Sequence, residues 1–449
     1  MTTTPTVILW FRQDLRLADN PALDAAVKSG ARIVPVYIWS PEEEGGWAPG
    51  AASRWWLHRS LESLDTRLRE RGSRLLFRRG PALLALRELA SQTGATAVYW
   101  NRRYEPAAVA VENLLREMLP ASGILAHSSQ AALLMEPWAI QTKTGGPYQV
   151  FTPYWRAFLQ QIKVSAPIGS PTRIPAPERW PDSVPLDALQ LLPHIPWHAS
   201  LERHWKPGEA AARDRLIAFS RGALGEYAAG RDLPAIDGTS RLSPHLHFGE
   251  ISPRQVWTQA SKHADLAGRY HAELVWREFA AHLLHHFPTL PERPKNAAFE
   301  KLGWRNDTRD FEAWCHGRTG ISLVDAGMRQ LWQTGWMHNR VRMVVGSLLV
   351  KNLLHPWQDG ERWFWDTLVD ADLASNAMGW QWVAGTGPDA APFFRVFNAD
   401  TQAEKFDASG EYRRRWIPEI GTAAYPRPIA DLKSSRQRAL DAYQAIRAR

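Results

Sequence analysis

Apolar and polar positions follow two alternating periodicities over the first 130 residues. Short apolar runs lie at Val7–Phe11, Ile33–Trp39, Leu75–Phe77, Ala97–Trp100 and Ile124–His127. Between them, apolar residues recur at helical spacing over roughly Pro21–Ser29, Ala51–Arg71, Pro81–Thr93 and Ala107–Leu119. Strand-like runs feeding helices predict βα units on a parallel sheet, so residues 1–130 read as a doubly wound α/β domain. The domain carries neither G-x-G-x-x-G nor G-x-x-x-x-G-K-[ST], so its pattern names no nucleotide.

Prolines then crowd the chain, at Pro167, Pro171, Pro175, Pro177, Pro181, Pro185, Pro193, Pro196 and Pro207. Each lacks the N–H a helix needs, so residues 131–207 read as a connector that is largely extended from Val164 onward. Beyond it the period returns to that of helices, in segments such as His271–His286, Leu323–Thr334 and Asn339–Leu354. An all-helical domain is expected over 208–449.

Composition narrows the chemistry. The 449 residues include 54 basic and 46 acidic ones, a net charge of +8. A basic surplus suits a polyanionic partner, though solvated helix faces also collect Lys and Arg. The single Cys315 excludes an internal disulfide and any cysteine-clustered zinc or iron–sulfur site. No apolar stretch is long enough to cross a membrane, and the start MTTTPTVILWFRQDLRL is too short and too charged for a signal peptide. A cytoplasmic protein, without a membrane partner and monomeric, is expected. Tryptophan is abundant, with 23 residues against 10 Tyr and 15 Phe, which points either to a Trp-rich core or to stacking and redox work.

Four segments carry candidate chemistry. Gly238–Pro244 sets Thr239, Ser240, Arg241, Leu242 and Ser243 in a turn before a helix. Its hydroxyls and N–H groups suit a phosphate, but Ser243 before Pro244 equally reads as a helix N-cap. In the second segment Glu273, Trp276 and Arg277 share one helical face; a solvent-facing ion pair would look similar, but the Trp between the charges suits it less. In the third, Asn339, Arg342 and Met343 lie along one helical stripe. The fourth, Asp370 to Trp382, places Asp370, Asp372 and Asn376 together, without the oxygen set a hard cation requires. His282, His285 and His286 share a helix face, but no ligand from another segment accompanies them and Pro288 ends the helix. No metal site is expected.

Taken in order and spacing, these segments resemble the photolyase/cryptochrome flavoprotein family. The likeness runs from Trp10-Phe11-Arg12-Gln13-Asp14-Leu15-Arg16 to Arg395-Val396-Phe397-Asn398. Within the family, Trp336-Met337-His338-Asn339-Arg340 is similar to the motif of photolyases acting on cyclobutane pyrimidine dimers, of class I or the plant-cryptochrome-related class III. The (6-4) enzymes carry a different, histidine-containing motif there. Iron–sulfur photolyases need four cysteines.

The resemblance implies a helical domain holding FAD, and light-driven repair of UV-damaged DNA by electron transfer from the reduced cofactor. It implies that Tyr227 and the turn Thr239, Ser240, Arg241, Leu242 and Ser243 grip the diphosphate. Arg277, Asn339, Arg342, Asp370, Asp372 and Asn376 would line the rest of the flavin pocket, with Asn376 facing the reactive ring nitrogen. Glu273 would bond the pyrimidine edge and, if protonated, steady the charge on the lesion. Trp276 and Trp382 would wedge the two bases, Asn339 and Met343 would complete the wall, and Arg231, Arg340 and Arg395 would meet phosphates. Trp380, Trp357 and Trp304 correspond to an electron relay to the surface.

The resemblance also implies an antenna chromophore near Glu105. Pro291-Glu292 replaces the Cys-Lys pair of one folate-binding pattern, whereas Gly50-Ala51-Ala52-Ser53-Arg54-Trp55-Trp56 is similar to the branch whose folate lies against tryptophans. 5,10-Methenyltetrahydrofolate is expected, with 8-hydroxy-5-deazaflavin as the alternative. A cryptochrome-type blue-light receptor is the rival function; about fifty residues follow Asn398, few for a long signalling tail.

Overall fold

The computed structural model describes residues 4–193, 195–390 and 392–447. Five strands form the N-terminal sheet: β1 (Thr6–Phe11), β2 (Arg32–Trp39), β3 (Leu76–Arg79), β4 (Ala95–Asn101) and β5 (Leu125–Ser129). All pair in parallel in the order β3-β2-β1-β4-β5, with Val7 opposite both Ile33 and Ala97. The helices Pro21–Lys28, Ala51–Arg69, Ala82–Thr93 and Pro106–Met118 supply the crossovers.

The unbroken apolar run of β1 is explained by its two buried faces. Val7, Leu9 and Phe11 pack with Trp55, Leu61 and Leu64 on one side, while Ile8 and Trp10 pack with Leu86, Leu89 and Leu115 on the other. Strand order reverses at β1, and in such sheets the crevice beyond the strands' carboxyl ends is the natural ligand position. Here it opens into a cleft lined by Arg12 after β1, Trp39 and Ser40 after β2, and Arg103 and Glu105 after β4.

The connector does not hang free. Its helix Phe151–Gln161 buries Phe151, Tyr154 and Phe158 against Val275, Phe279 and Leu283 of the long helix Ala264–His286. Its proline-rich part instead lays Ile174, Leu189 and Leu191 on the α/β core.

Residues Arg12–Arg16 fasten the two domains. Arg16, 1% exposed, donates to the carbonyls of Asp19, Ala131 and Gly249. Gly249 sits at φ +65° against the Gln13–Asp14 backbone, where any side chain would collide. Glu209 accepts from the N–H groups of Leu17 and Ala18 at 2.9 Å each. The helical domain, from Glu209 onward, packs around Trp314, Val345, Leu349, Trp357 and Trp380.

Candidate functional site

The long helix Ala264–His286 turns Val275, Phe279 and Leu283 into the core, which leaves Glu273 and Trp276 half-buried at its edge. Trp276 lies face to face on Phe151, with centroids 3.7 Å apart and planes 9° from parallel. Phe279 meets the same indole edge-on at 5.8 Å, so the ring is held from two sides. Glu273 forms an ion pair with Arg231, the residue that closes the short helix Tyr227–Gly230. Arg231 also lies over the Tyr227 ring at 5.5 Å and 3.8 Å from Asp232. Asp232 in turn takes Arg340 at 3.0 Å, and Arg340 covers Phe406 and touches the Met343 sulfur at 3.8 Å. Glu273, Arg231, Arg340 and Met343 thus form one contiguous rim, with Asp232 as the bridge.

A further group, the lip, comes from the end of the helical core. Trp382 packs on Phe397 at 6.3 Å, and Arg395 projects into solvent beside it. Asn339, the first residue of the helix Asn339–Ser347, is exposed. His338 caps that helix by accepting from the Arg340 N–H at 3.2 Å; burial pushes its imidazole down to about 4. A neutral ring nitrogen is what such an acceptor requires.

A second polar set lies around the starts of the helices Asn339–Ser347 and Leu373–Ala384. Arg342 grips Asp370 through both carboxylate oxygens, at 3.1 and 2.9 Å, and donates to the Met337 carbonyl at 2.8 Å. Asp372 caps the helix Leu373–Ala384 by accepting from Ser375 at 2.8 Å. Both carboxylates therefore have protein partners. Asn376, 9% exposed, donates its amide N–H to the Glu361 carbonyl at 3.0 Å and keeps its oxygen free. Arg277 donates to the Ala132 carbonyl at 2.6 Å, tying this helix to the connector.

The Gly238–Ser243 turn is braced from behind. Arg215 reaches the carbonyls of Thr239 and Ser240 and pairs with Asp237 at 2.7 Å. Gly238 lies so close to Gly230 that a Cβ would strike its carbonyl. Arg241 takes φ +50° and sets its guanidinium over Trp336 at 5.1 Å, 3.1 Å from Asp237. The capping alternative for Ser243 does not hold: Leu242 occupies the N-cap without a side-chain bond, and Ser243 is the first helical residue. Among the described residues the Thr239 and Ser243 hydroxyls make no hydrogen bond, while the Leu242 side chain is buried beside Tyr227. Free hydroxyls beside a cation are a donor set that suits a diphosphate.

Trp380 and Trp357 are buried at 3% and 1%, and Trp304 is half-buried; all three belong to one packed cluster. The rings paired with Trp380 are Phe364 at 5.0 Å and Trp314 at 6.2 Å, and its indole N–H has no partner. Gly360 lets that indole lie against the helix Trp357–Thr367, since any side chain there would run into it.

Phe151, Arg215, Asp232 and Glu361 escape a reading of the sequence. The first three act through partners far away in the chain. Glu361 did leave a signal, because it lies four residues after Trp357 and three before Phe364 on the buried helix face. It is wholly buried, neither carboxylate oxygen has a partner among the described residues, and burial pushes it well above the usual carboxylate range.

At the cleft beyond the sheet, Glu105 is held by Arg103 at 3.3 Å and by the Tyr104 N–H at 3.1 Å. Burial works against its charge, but Arg103 outweighs it and draws the carboxyl down to about 2. Arg103 also chelates Glu44 at 2.6 and 3.0 Å. Trp47 and Trp365, edge to face at 5.4 Å, line the same cleft with Pro291 and Glu292. Trp55 and Trp56 do not: both are fully buried, Trp56 stacking on Phe248 and donating to Glu250 at 3.0 Å.

Among the described residues no group of three or more His, Cys, Asp or Glu is placed to hold a metal, and no helix is long and apolar enough to cross a membrane.

Comparison with known proteins gives matches over both domains. Residues 7–178 match the DNA photolyase family model, and residues 270–424 match the FAD binding domain of DNA photolyase. The deoxyribodipyrimidine photo-lyase of Agrobacterium fabrum is 47% identical, over 99% of this chain and 98% of the relative. Cryptochrome-1 of Arabidopsis thaliana is 38% identical, over 92% of this chain and 63% of its own length. The crystal structure of a class III photolyase from Agrobacterium tumefaciens superposes with a TM-score of 0.96 at 47% identity, covering 100% of this chain and 99% of the other.

Proposed function

The chain belongs to the photolyase/cryptochrome flavoprotein family, and from that premise we infer that it is a light-driven photolyase that splits cyclobutane pyrimidine dimers in DNA. Reduced FAD, when bound, would supply the light-driven, reversible electron transfer that opens the dimer. The protein's part is to hold, orient and exclude water. Thr239, Ser240, Arg241 and Ser243 are assigned to the diphosphate, with Tyr227, Leu242 and Arg277 as supports. Arg342, Asp370, Asp372 and Asn376 are assigned to the ring system, and Asn339 to the wall between cofactor and lesion.

A dimer inside a duplex cannot reach such a site, and photolyases are among the enzymes that extrude their target nucleotide. A lesion that pairs and stacks poorly costs less to extrude, which is one source of selectivity. The observation that carries this reading is Trp276, braced by Phe151, three residues along the helix from Glu273, whose ion pair with Arg231 continues through Asp232 to Arg340. A flat pyrimidine pair stacks on that indole and on Trp382, its polar edge turns to Glu273, and its flanking phosphates meet Arg231, Arg340 and Arg395. Trp380, Trp357 and Trp304 are proposed to pass electrons inwards when the flavin is oxidised.

At the second cleft we assign an antenna chromophore, 5,10-methenyltetrahydrofolate, with Trp47 and Trp365 against its rings and Glu105 and Glu44 facing its polar edge. The absorption spectrum of the purified protein separates it from 8-hydroxy-5-deazaflavin. To test the function, chemically reduced protein is illuminated with an oligonucleotide containing one thymine dimer. Restored thymine absorbance supports repair. Intact dimers beside a flavin that still photoreduces would favour the cryptochrome-type receptor.

A further inference from the structure

A lysine lies where the helical core supports the substrate lip. Leu348–Asn352 forms a single π-helical turn, in which the Leu353 N–H reaches back to the Leu348 carbonyl at 2.9 Å. Such turns are uncommon and recur at functional sites. Lys351 sits within it and is 0% exposed. Its ammonium donates to the Arg395 carbonyl at 2.8 Å and lies 5.4 Å from the Phe393 ring.

No carboxylate pairs with Lys351 among the described residues. The charged groups around the turn are Arg395 on the segment it holds and, on the C-terminal helix Leu432–Arg447, Arg438, which donates to the Asn352 carbonyl at 2.7 Å. Burial and the like charge of Arg395 push the amine down to about 7. An uncompensated buried cation is costly, so its retention calls for a role beyond packing.

The segment it holds supplies that role. Residues 393–397 carry Arg395 and the Phe397 ring on which Trp382 packs, and the Phe397 N–H is tied to the Ser347 hydroxyl at 3.1 Å. We propose that Lys351 is a positioning residue for lesion recognition: by clamping the Arg395 carbonyl it fixes the lip that presents Arg395 to a phosphate and Trp382 to the flipped pyrimidines. The proposal rests on the photolyase reading of that lip. It carries a linkage consequence. A phosphate that neutralises the Arg395 guanidinium removes the like charge facing Lys351, so the amine gains proton affinity on binding DNA.

Two measurements on the FAD-loaded protein test this. In Lys351→Met, which keeps the stem and drops the donor, the Kd for a dimer-containing oligonucleotide should rise about ten-fold, as expected for a lost charge-assisted bond. Repair per absorbed photon at saturating oligonucleotide should stay unchanged, and Lys351→Arg should recover part of the affinity. In wild-type protein, titration calorimetry near pH 7 in two buffers of different ionisation enthalpy should show proton uptake on binding the lesion. An unchanged Kd in Lys351→Met, or no proton uptake by wild type, would overturn the role of Lys351 while leaving photolyase activity standing. If Lys351→Met does not fold, Lys351→Arg decides: a guanidinium does not titrate near pH 7, so proton uptake equal to that of wild type would overturn the role of Lys351. Wild-type protein that neither binds nor repairs the lesion would instead overturn the functional reading.

Discussion

Replacing Glu361 with Gln removes the one ionisation that its setting penalises most. The carboxyl is wholly buried with both oxygens unpartnered among the described residues; burial raises its proton affinity, Arg362 opposes and Glu292 adds. Its folded-state value lies above its unfolded one, so the contribution to stability is complete below the ordinary carboxylate range and is lost as pH rises towards the folded value. Across that window one extra proton is bound in the folded state, a slope of about 1.4 kcal/mol per pH unit. Unfolding entropy is about 2.1 cal/mol/K per residue, hence about 0.5 kcal/mol/K for a helical domain of roughly 240 residues, so the slope corresponds to about 3 °C per pH unit. Glu278, raised to about 7 by burial, and Lys351, lowered to about 7, titrate in the same range, but both are present in either protein and cancel in the difference. Thermal scans of wild type and Glu361→Gln from pH 5 to about 8 should therefore give melting curves that converge in favour of the variant as pH rises. Parallel pH dependence in the two proteins would refute a buried, protonated Glu361.

Three further outcomes follow from the site. Trp380→Phe should abolish photoreduction of oxidised FAD yet repair normally once reduced with dithionite; photoreduction at the wild-type rate would remove Trp380 from the relay. Arg340→Ala should weaken DNA binding and reduce the slope of log K against log salt by about one unit, because one phosphate contact releases about one counterion; an unchanged slope would take Arg340 off the phosphate path. Trp276→Ala should cost about 1–3 kcal/mol of affinity for the dimer oligonucleotide, the usual worth of a base–aromatic stack. Equal affinity by fluorescence anisotropy would show that its indole does not receive the lesion.

Much of the α/β domain was legible because buried parallel strands write unbroken apolar runs, and each of the five predicted runs overlaps its strand, with ends displaced by at most two residues. The long helix carrying Glu273 and Trp276 was expected over His271–His286; its end matches, but it begins earlier, at Ala264. What escaped depends on pairs that only folding creates. Phe151 lies in the connector with nothing to mark it as the platform for Trp276, and Asp232 matters only because Arg231 and Arg340 converge on it. Ser243 had the local sequence of an N-cap, but the turn's left-handed Arg241 moved the cap to Leu242. Trp55 and Trp56 looked like chromophore contacts, yet their helix turns them into the sheet's core, and Trp47 with Trp365 takes that place at the cleft. Glu361 and Lys351 escaped as well, since a single charge within a helical pattern reads as solvated, yet both are wholly buried.

The account turns on a lesion being brought out of the helix and against the reduced flavin. Time-resolved fluorescence of the reduced holoprotein tests this directly, with a dimer-containing oligonucleotide compared against the undamaged one. A flavin lifetime shortened by the dimer alone is the predicted result; equal lifetimes with both oligonucleotides at saturating concentration would contradict it.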